Sequence, residues 1–173
     1  MKVIIILLVS IKFLLGTSIS DVYNMEPKKI ESAIEILGVE KFLKISAQAA
    51  NKTISENGGK ITIDSTTDYI SCRSNGRFLT YEYQVNKVNL IKLYQKEYDV
   101  SYDKVKKVLE ETDYIDTKKY VKKDLYSFNK KRFCSIPALK IMLSKDVKFQ
   151  LVYSFDTGEI IDIQKISYQN CNE

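Results

Sequence analysis

The chain has no histidine and no tryptophan, and only three cysteines, two prolines and six glycines in 173 residues. Without an imidazole it has no Ser-His-Asp or Cys-His relay of its own. It cannot build a His-containing zinc site, and three cysteines do not fill a Cys₄ one. The side chain that titrates nearest neutrality is also absent, so proton transfer would need a strongly shifted Lys, Tyr or carboxylate. No Walker, GxGxxG or GxSxG motif occurs. These gaps remove the common catalytic classes. We expect no catalytic residue, no metal and no cofactor.

What is present begins with a leader. Met1-Lys2 is a positive start, Val3 to Leu15 is apolar apart from Ser10 and Lys12, and Gly16 to Ser20 supplies small residues, with Ser18 and Ser20 where a signal peptidase reads. Residues 1–20 are therefore expected to be a secretory signal peptide, and residues 21–173 a single α+β domain. A retained anchor is the alternative, but the apolar run falls short of about 18 residues and Lys12 interrupts it. No later segment is long and apolar enough to span a bilayer. Cleavage leaves about 150 residues, enough for one core. It takes Lys2 and Lys12 and no acid, lowering the formal charge from +5 to about +3. That is too mild for a nucleic-acid protein. The expected location is the periplasm or the secreted space.

Cys72, Cys134 and Cys171 all follow the leader, and export implies an oxidising compartment. Three single pairings are possible. Cys134–Cys171 is favoured, because it ties the end of the chain to the start of a helix. It closes a loop of about 38 residues, which contributes roughly 3–4 kcal/mol by loop entropy. Cys72 is then buried in a strand or paired with another chain. Three buried thiols are the remaining alternative.

Pro27 beside Glu26 suits a first helical turn. Ile30, Ala33, Ile34 and Leu37, then Phe42, Ile45 and Ala49, keep a helical period over 27–55, kinked or broken at Gly38 and stopped by Asn57-Gly58-Gly59. Residues 60–73 are extended, weakened by the polar run Asp64 to Asp68. Asn75-Gly76 predicts a type I′ hairpin turn. Beyond it Leu79, Tyr81, Tyr83 and Val85 fall on one strand face, and Phe78, Thr80, Glu82 and Gln84 on the other. Residues 88–98 are helical in period. Ser101 or Asp103 caps a further helix carrying Val105, Val108 and Leu109. Another runs from Asp116 with Val121, Leu125 and Phe128 on one face, and Pro137 opens a short one through Leu143. A second hairpin closes the chain: Val147, Phe149, Leu151, Tyr153 and Phe155 alternate, Asp156-Thr157-Gly158-Glu159 turns, and Ile160 to Tyr168 returns. The expected fold is α+β: an N-terminal helix and an antiparallel four-stranded sheet from two hairpins with helices inserted between them, in the order αββαααββ. Helices cover one face and the other is partly wet.

Residues 117–132 carry Lys118, Lys119, Lys122, Lys123, Lys130, Lys131 and Arg132 against the single acid Asp124. Such a stripe suits an anionic partner, whether lipid head groups, a cell-wall polymer or nucleic acid. The plainer account is a solvated helix face whose lysine stems lie over the core. The twelve tyrosines, Tyr81 and Tyr83 among them, can stack on sugars or single strands, although a half-buried sheet favours them anyway. Glu82 and Asp162 are the one candidate carboxylate pair for hydrolysis, meeting on the sheet's outer face. Asn51-Lys52-Thr53 is an N-x-Thr sequon. Cys72 as a nucleophile needs a depressed pKa, for which Arg73 or a lysine is the available help.

Ala50-Asn51-Lys52, Leu79-x-Tyr81-x-Tyr83, Cys134-x-x-Pro137-x-Leu139, the run Val147 to Asp156 with Gly158, and the closing Cys171 form a spaced pattern. It resembles a group of small exported bacterial proteins of unknown function that carry a Y-x-Y strand, a cysteine before a short helix and a final hairpin ending in a cysteine. The resemblance implies a bacterial periplasmic or secreted protein and the Cys134–Cys171 bridge; it implies no activity. The order of helix and sheet is also similar to cystatin-like and NTF2-like folds, which host many functions.

These observations lead to the expectation of an exported, non-enzymatic binding or accessory protein whose partner is another protein or an envelope component, without nucleic acid. One alternative is a secreted inhibitor of cystatin-like fold that presents the hairpin loop Ser74–Arg77. Another is an envelope-polymer hydrolase working through Glu82 and Asp162.

Overall fold

In the computed structural model the helical period over 27–55 is broken at Gly38, one of the two outcomes the sequence allows, and forms two helices. The structure describes residues 26–99, 101–104 and 114–172. The leader at 1–20 and the positions of Val105, Val108 and Leu109 lie outside the described residues. Helix α1 (Pro27–Leu37) has Pro27 in its first turn and buries Ile30, Ala33 and Ile34. Gly38 then takes φ 77° and ψ 154°, a conformation open to glycine and costly for other residues, and α2 (Val39–Glu56) starts afresh. Phe42, Leu43, Ala47, Ala49 and Ile54 form its buried face. Burial of one such side chain, Leu43, contributes about 1.5–3 kcal/mol. Asn57 ends the helix, and the Gly59 N–H returns to the Ile54 carbonyl at 2.9 Å.

The extended stretch 60–73 holds two strands. Between β1 (Ile61–Thr62) and β2 (Thr67–Asn75) the Asp64 Oδ1 accepts the N–H groups of Thr66 at 2.7 Å and Thr67 at 2.8 Å, which reverses the chain. β2 is bulged: its register against the next strand shifts between Tyr69 and Ser71, so Tyr69 and Cys72 both face the core across an odd spacing. The hairpin turn sits one residue later than expected. Asn75 pairs with Phe78, the loop is Gly76-Arg77, and of these only Gly76 has positive φ, 54°. That pattern belongs to a type II′ turn, not type I′. β3 (Phe78–Val85) buries Leu79, Tyr81, Tyr83 and Val85, as its alternation predicts.

Asn86 caps α3 (Lys87–Tyr98), its side-chain oxygen accepting the Asn89 N–H at 2.8 Å. Then come α4 (Tyr114–Ser135), α5 (Pro137–Ser144), β4 (Lys148–Phe155), β5 (Ile160–Ile166) and a closing 3₁₀ turn at Gln169–Cys171. The sheet has five strands in the order β1-β2-β3-β4-β5. β2–β3 and β4–β5 are the two expected antiparallel hairpins, but β3 and β4 run parallel. The expected four-stranded, wholly antiparallel sheet is thus corrected to a mixed five-stranded one within the same α+β class. The physical reason is the helical connection. It carries the chain from the end of β3 back to the edge where β3 began, and a crossover of that kind makes neighbours parallel.

The core lies between this sheet and α1, α2, α4 and α5. Tyr69 packs on Tyr81 and Tyr83 with ring centroids 5.7 and 5.6 Å apart, and Tyr83 stacks on Tyr153 at 4.8 Å. α4 enters through Phe133, edge-on to Phe149 at 4.8 Å. Its buried face runs through Leu125, Tyr126, Asn129 and Phe133. Phe128, expected on that face, is instead 63% exposed. Steps of four residues from Leu125 reach Asn129 and Phe133, and Phe128 falls off that line.

Candidate functional site

The strand alternation that buries Tyr81 and Tyr83 turns Thr80, Glu82 and Gln84 to the opposite, half-exposed face. Glu82 stands beside Ser71 on β2 and Val152 on β4. Arg73 Nη2 reaches both of its carboxylate oxygens, at 2.8 and 3.0 Å, and the Ser71 hydroxyl donates to it as well. Asp162 is elsewhere. It lies opposite Tyr153, whose ring is buried on the helix-covered side, and accepts from Gln164 Nε2 at 2.9 Å. The residue across from Val152, in line with Glu82, is Ile163. A period of two therefore puts Glu82 and Asp162 on opposite faces, and the candidate pair of the hydrolase alternative does not form.

Gln164 belongs to a buried polar chain missed at the level of sequence. Asn129 on α4 is 3% exposed and donates from Nδ2 to the Tyr153 hydroxyl at 2.9 Å and to Gln164 Oε1 at 2.8 Å. Asn129 sits where the helical period of α4 calls for an apolar residue, and that was its available signal. The chain locks α4 to β4 and β5 by directional bonds that an apolar core lacks.

Cys72 is 1% exposed and unbridged. Burial pushes its thiol up to about 11, the reverse of an activated nucleophile. Its polar neighbour is the Tyr69 hydroxyl, itself buried without a nitrogen or oxygen partner among the described residues and pushed far above the usual tyrosine range, chiefly by the same burial and then by the neighbouring Cys72. The outward-facing backbone of Cys72 meets a different group. Asn51 Nδ2 donates to the Cys72 carbonyl at 2.7 Å, and the Cys72 N–H donates to Asn51 Oδ1 at 2.8 Å. β1 pairs with β2 only at Tyr69 and Asp68, so Asn51 takes the place of a sheet neighbour where β1 has already ended. The sequon asparagine thus has a structural task, and Thr53 likewise bonds the Ala49 carbonyl at 3.1 Å.

The cation stripe falls on α4. The side chains of Lys118, Lys119 and Lys122 lie outside the described residues. Lys123 and Lys131 are exposed, while Lys130 and Arg132 are half-buried. The helix ends at a disulfide: Cys134 in its last turn is bridged to Cys171 in the closing 3₁₀ turn, Cα atoms 5.4 Å apart. The expected pairing is present, with Cys134 at the end of α4 and not at the start of the next helix. The hairpin loop Ser74–Arg77 does not stand clear. Arg77 donates to the Lys145 carbonyl at 3.2 Å and pairs with Asp146 at 3.3 Å, and its own carbonyl accepts the Lys148 N–H at 2.9 Å. Among the described residues no His, Cys, Asp or Glu group could hold a metal ion, and no helix is long and apolar enough to cross a membrane.

No protein-family model matches the chain, and no curated protein matches it. Among solved structures, a protein of Pseudomonas aeruginosa described as secreted is similar at 10% identity and a TM-score of 0.48, covering 78% of this chain and 96% of that one. The type 2 secretion system pilotin EpsS of Vibrio vulnificus is similar at 10% identity and 0.47, over 76% of this chain and 94% of its own. The type II secretion system pilotin AspS of Vibrio cholerae gives 10% and 0.43, over 79% and 98%. None of the three bears on the cystatin-like or NTF2-like analogy. Likeness at TM-scores of 0.48 and below says nothing of function.

Proposed function

We propose that the protein is an exported, non-enzymatic accessory protein that binds a component of the envelope through its surface. One observation carries the reading. The densest run of cations in the sequence lies on a helix whose solvent-facing side also exposes Phe128. A single exposed ring is ordinary on its own, but beside a run of lysines it joins apolar and cationic contact on one helix face, as interfacial helices do. Export is supported by the leader-like start and by the Cys134–Cys171 bridge, since structural disulfides persist in oxidising compartments. The polar groups with chemical promise have structural work instead: Glu82 with Arg73 and Ser71, Asn51 with Cys72, Asn129 with Tyr153 and Gln164.

The test is fractionation combined with photocrosslinking in the native cell. The chain should lie in the envelope or the medium, and a photoreactive residue at Ser127 should crosslink where one at Ile36 on α1 does not. A chain retained in the cytosol, or equal crosslinking from both positions, defeats the reading.

A further inference from the structure

We infer that the solvent-facing side of α4 docks on an anionic lipid surface, with Phe128 entering the head-group boundary and lysines resting on the phosphates. The inference rests on the proposed function and names the component bound. Phe128 is the most exposed large hydrophobic side chain among the described residues, at 63%. Lys123, Ser127 and Lys131 succeed one another at steps of four along the same exposed side, and Phe128 lies one turn from Lys131. The stretch from Lys123 to Lys131 is about 12 Å long, so these groups reach a plane together. Lys123, Lys130 and Lys131 have no ion-pair partner among the described residues. From Leu125 to Ser135 the helix contains no acid.

The ring decides between anionic partners. A polyanion without rings or apolar faces, such as polyphosphate, satisfies the lysines and gives a bare phenyl ring nothing, and the mild net charge already argues against nucleic acid. A lipid head-group layer offers phosphates to the lysines and an apolar boundary just beneath for the ring. The other face of α4 is already spent on the core through Leu125, Asn129 and Phe133, so the helix lies flat on its docking surface and does not insert.

The protein, purified as the cell exports it, is sedimented with vesicles of phosphatidylcholine containing phosphatidylglycerol, and with vesicles of phosphatidylcholine alone. Binding is expected to the first and not the second, and to fade as salt is raised. The double variant Lys123→Gln/Lys131→Gln should bind about 25-fold more weakly, at roughly five-fold per lysine. Phe128→Ser should weaken binding about ten-fold while leaving the salt dependence intact. Ile36→Ser, at an exposed apolar site on α1, should change nothing. Equal binding to both vesicle types overturns the proposal, as does no binding to either, or equal losses from Phe128→Ser and Ile36→Ser. So does a soluble polyphosphate that binds as tightly as vesicles with Phe128→Ser silent. In each of those cases the crosslinking at Ser127 still judges the broader reading on its own.

Discussion

Replacing Asn51 tests whether a helix side chain finishes the edge of the sheet. Its amide makes two bonds, 2.7 and 2.8 Å, to the carbonyl and N–H of Cys72, a residue only 1% exposed. Each bond contributes about 1 kcal/mol net, and each backbone group left without a partner costs about 1–3 kcal/mol where water cannot enter. Asn51 itself is exposed, so water partly replaces it. Asn51→Ala should therefore cost about 2–3 kcal/mol, a fall in Tm of about 2–4 °C per kcal/mol for a domain of this size. Urea unfolding should show the loss as a lower midpoint at unchanged slope. Asn51→Asp separates the two bonds. An aspartate still accepts the Cys72 N–H but loses the donor and sets negative charge against the carbonyl. Its deficit should shrink as pH falls below about 4 and the protonated acid regains a donor. A midpoint for Asn51→Ala within about 0.5 kcal/mol of the parent would refute the edge-finishing role, as would an Asn51→Asp deficit that ignores pH.

Three further outcomes are expected. Gly38→Ala should lose about 1–3 kcal/mol from backbone strain alone, because φ is 77° and an added Cβ meets nothing within 4 Å; unchanged thermal stability would count against the α1–α2 break. Reducing Cys134–Cys171 should lower stability by about 2–4 kcal/mol, with Cys72 still resisting alkylation at neutral pH until the chain unfolds; fast labelling of Cys72 in the folded, reduced protein would contradict its burial. Above neutrality, the Cys72 thiol stays protonated up to about 11 in the fold against an ordinary 9.0, so the unfolded chain releases its proton first. Stability from this group is complete below pH 9 and is lost as pH rises toward 11. Tyr69, raised by the same burial, extends the loss. Cys72→Ala should flatten the first part of that decline in urea titrations, and parallel curves for variant and parent would exclude the thiol as its source.

Local pattern carried much of this fold and failed where distance along the chain mattered. Strand alternation placed Leu79, Tyr81, Tyr83 and Val85 on the buried face, and Phe149, Leu151, Tyr153 and Phe155 with them. Those are nearest-neighbour facts written into a period of two. The parallel pairing of β3 with β4 is written in neither strand. It follows from how the intervening helices return, which alternation does not record. The extended character of residues 60–73 is legible, but not that β1 is a separate strand folded back on β2, because the Asx turn at Asp64 resembles a merely polar interruption until its oxygen is seen to collect two N–H groups. The bulge in β2 hid in the same way: Tyr69 and Cys72 are three apart, which in a regular strand puts them on opposite faces.

The surface was legible only in composition. Counting charges finds the cations of residues 117–132 but not what stands among them, and the periodicity of α4 assigns Phe128 to the core beside Leu125. The helix settles on Asn129, because a buried amide held by Tyr153 and Gln164 is costly to move. Rolling α4 to bury Phe128 would break both bonds and draw Asn129 out of the core. The gain, about 1.5–3 kcal/mol for one ring, is comparable to or smaller than the combined cost of losing the two buried bonds, about 2–6 kcal/mol. The polar lock that fixes α4 on the sheet thus opposes burial of the ring, and a variant that dissolves it, Asn129→Leu, should draw Phe128 toward the core and weaken any surface binding without removing a single lysine.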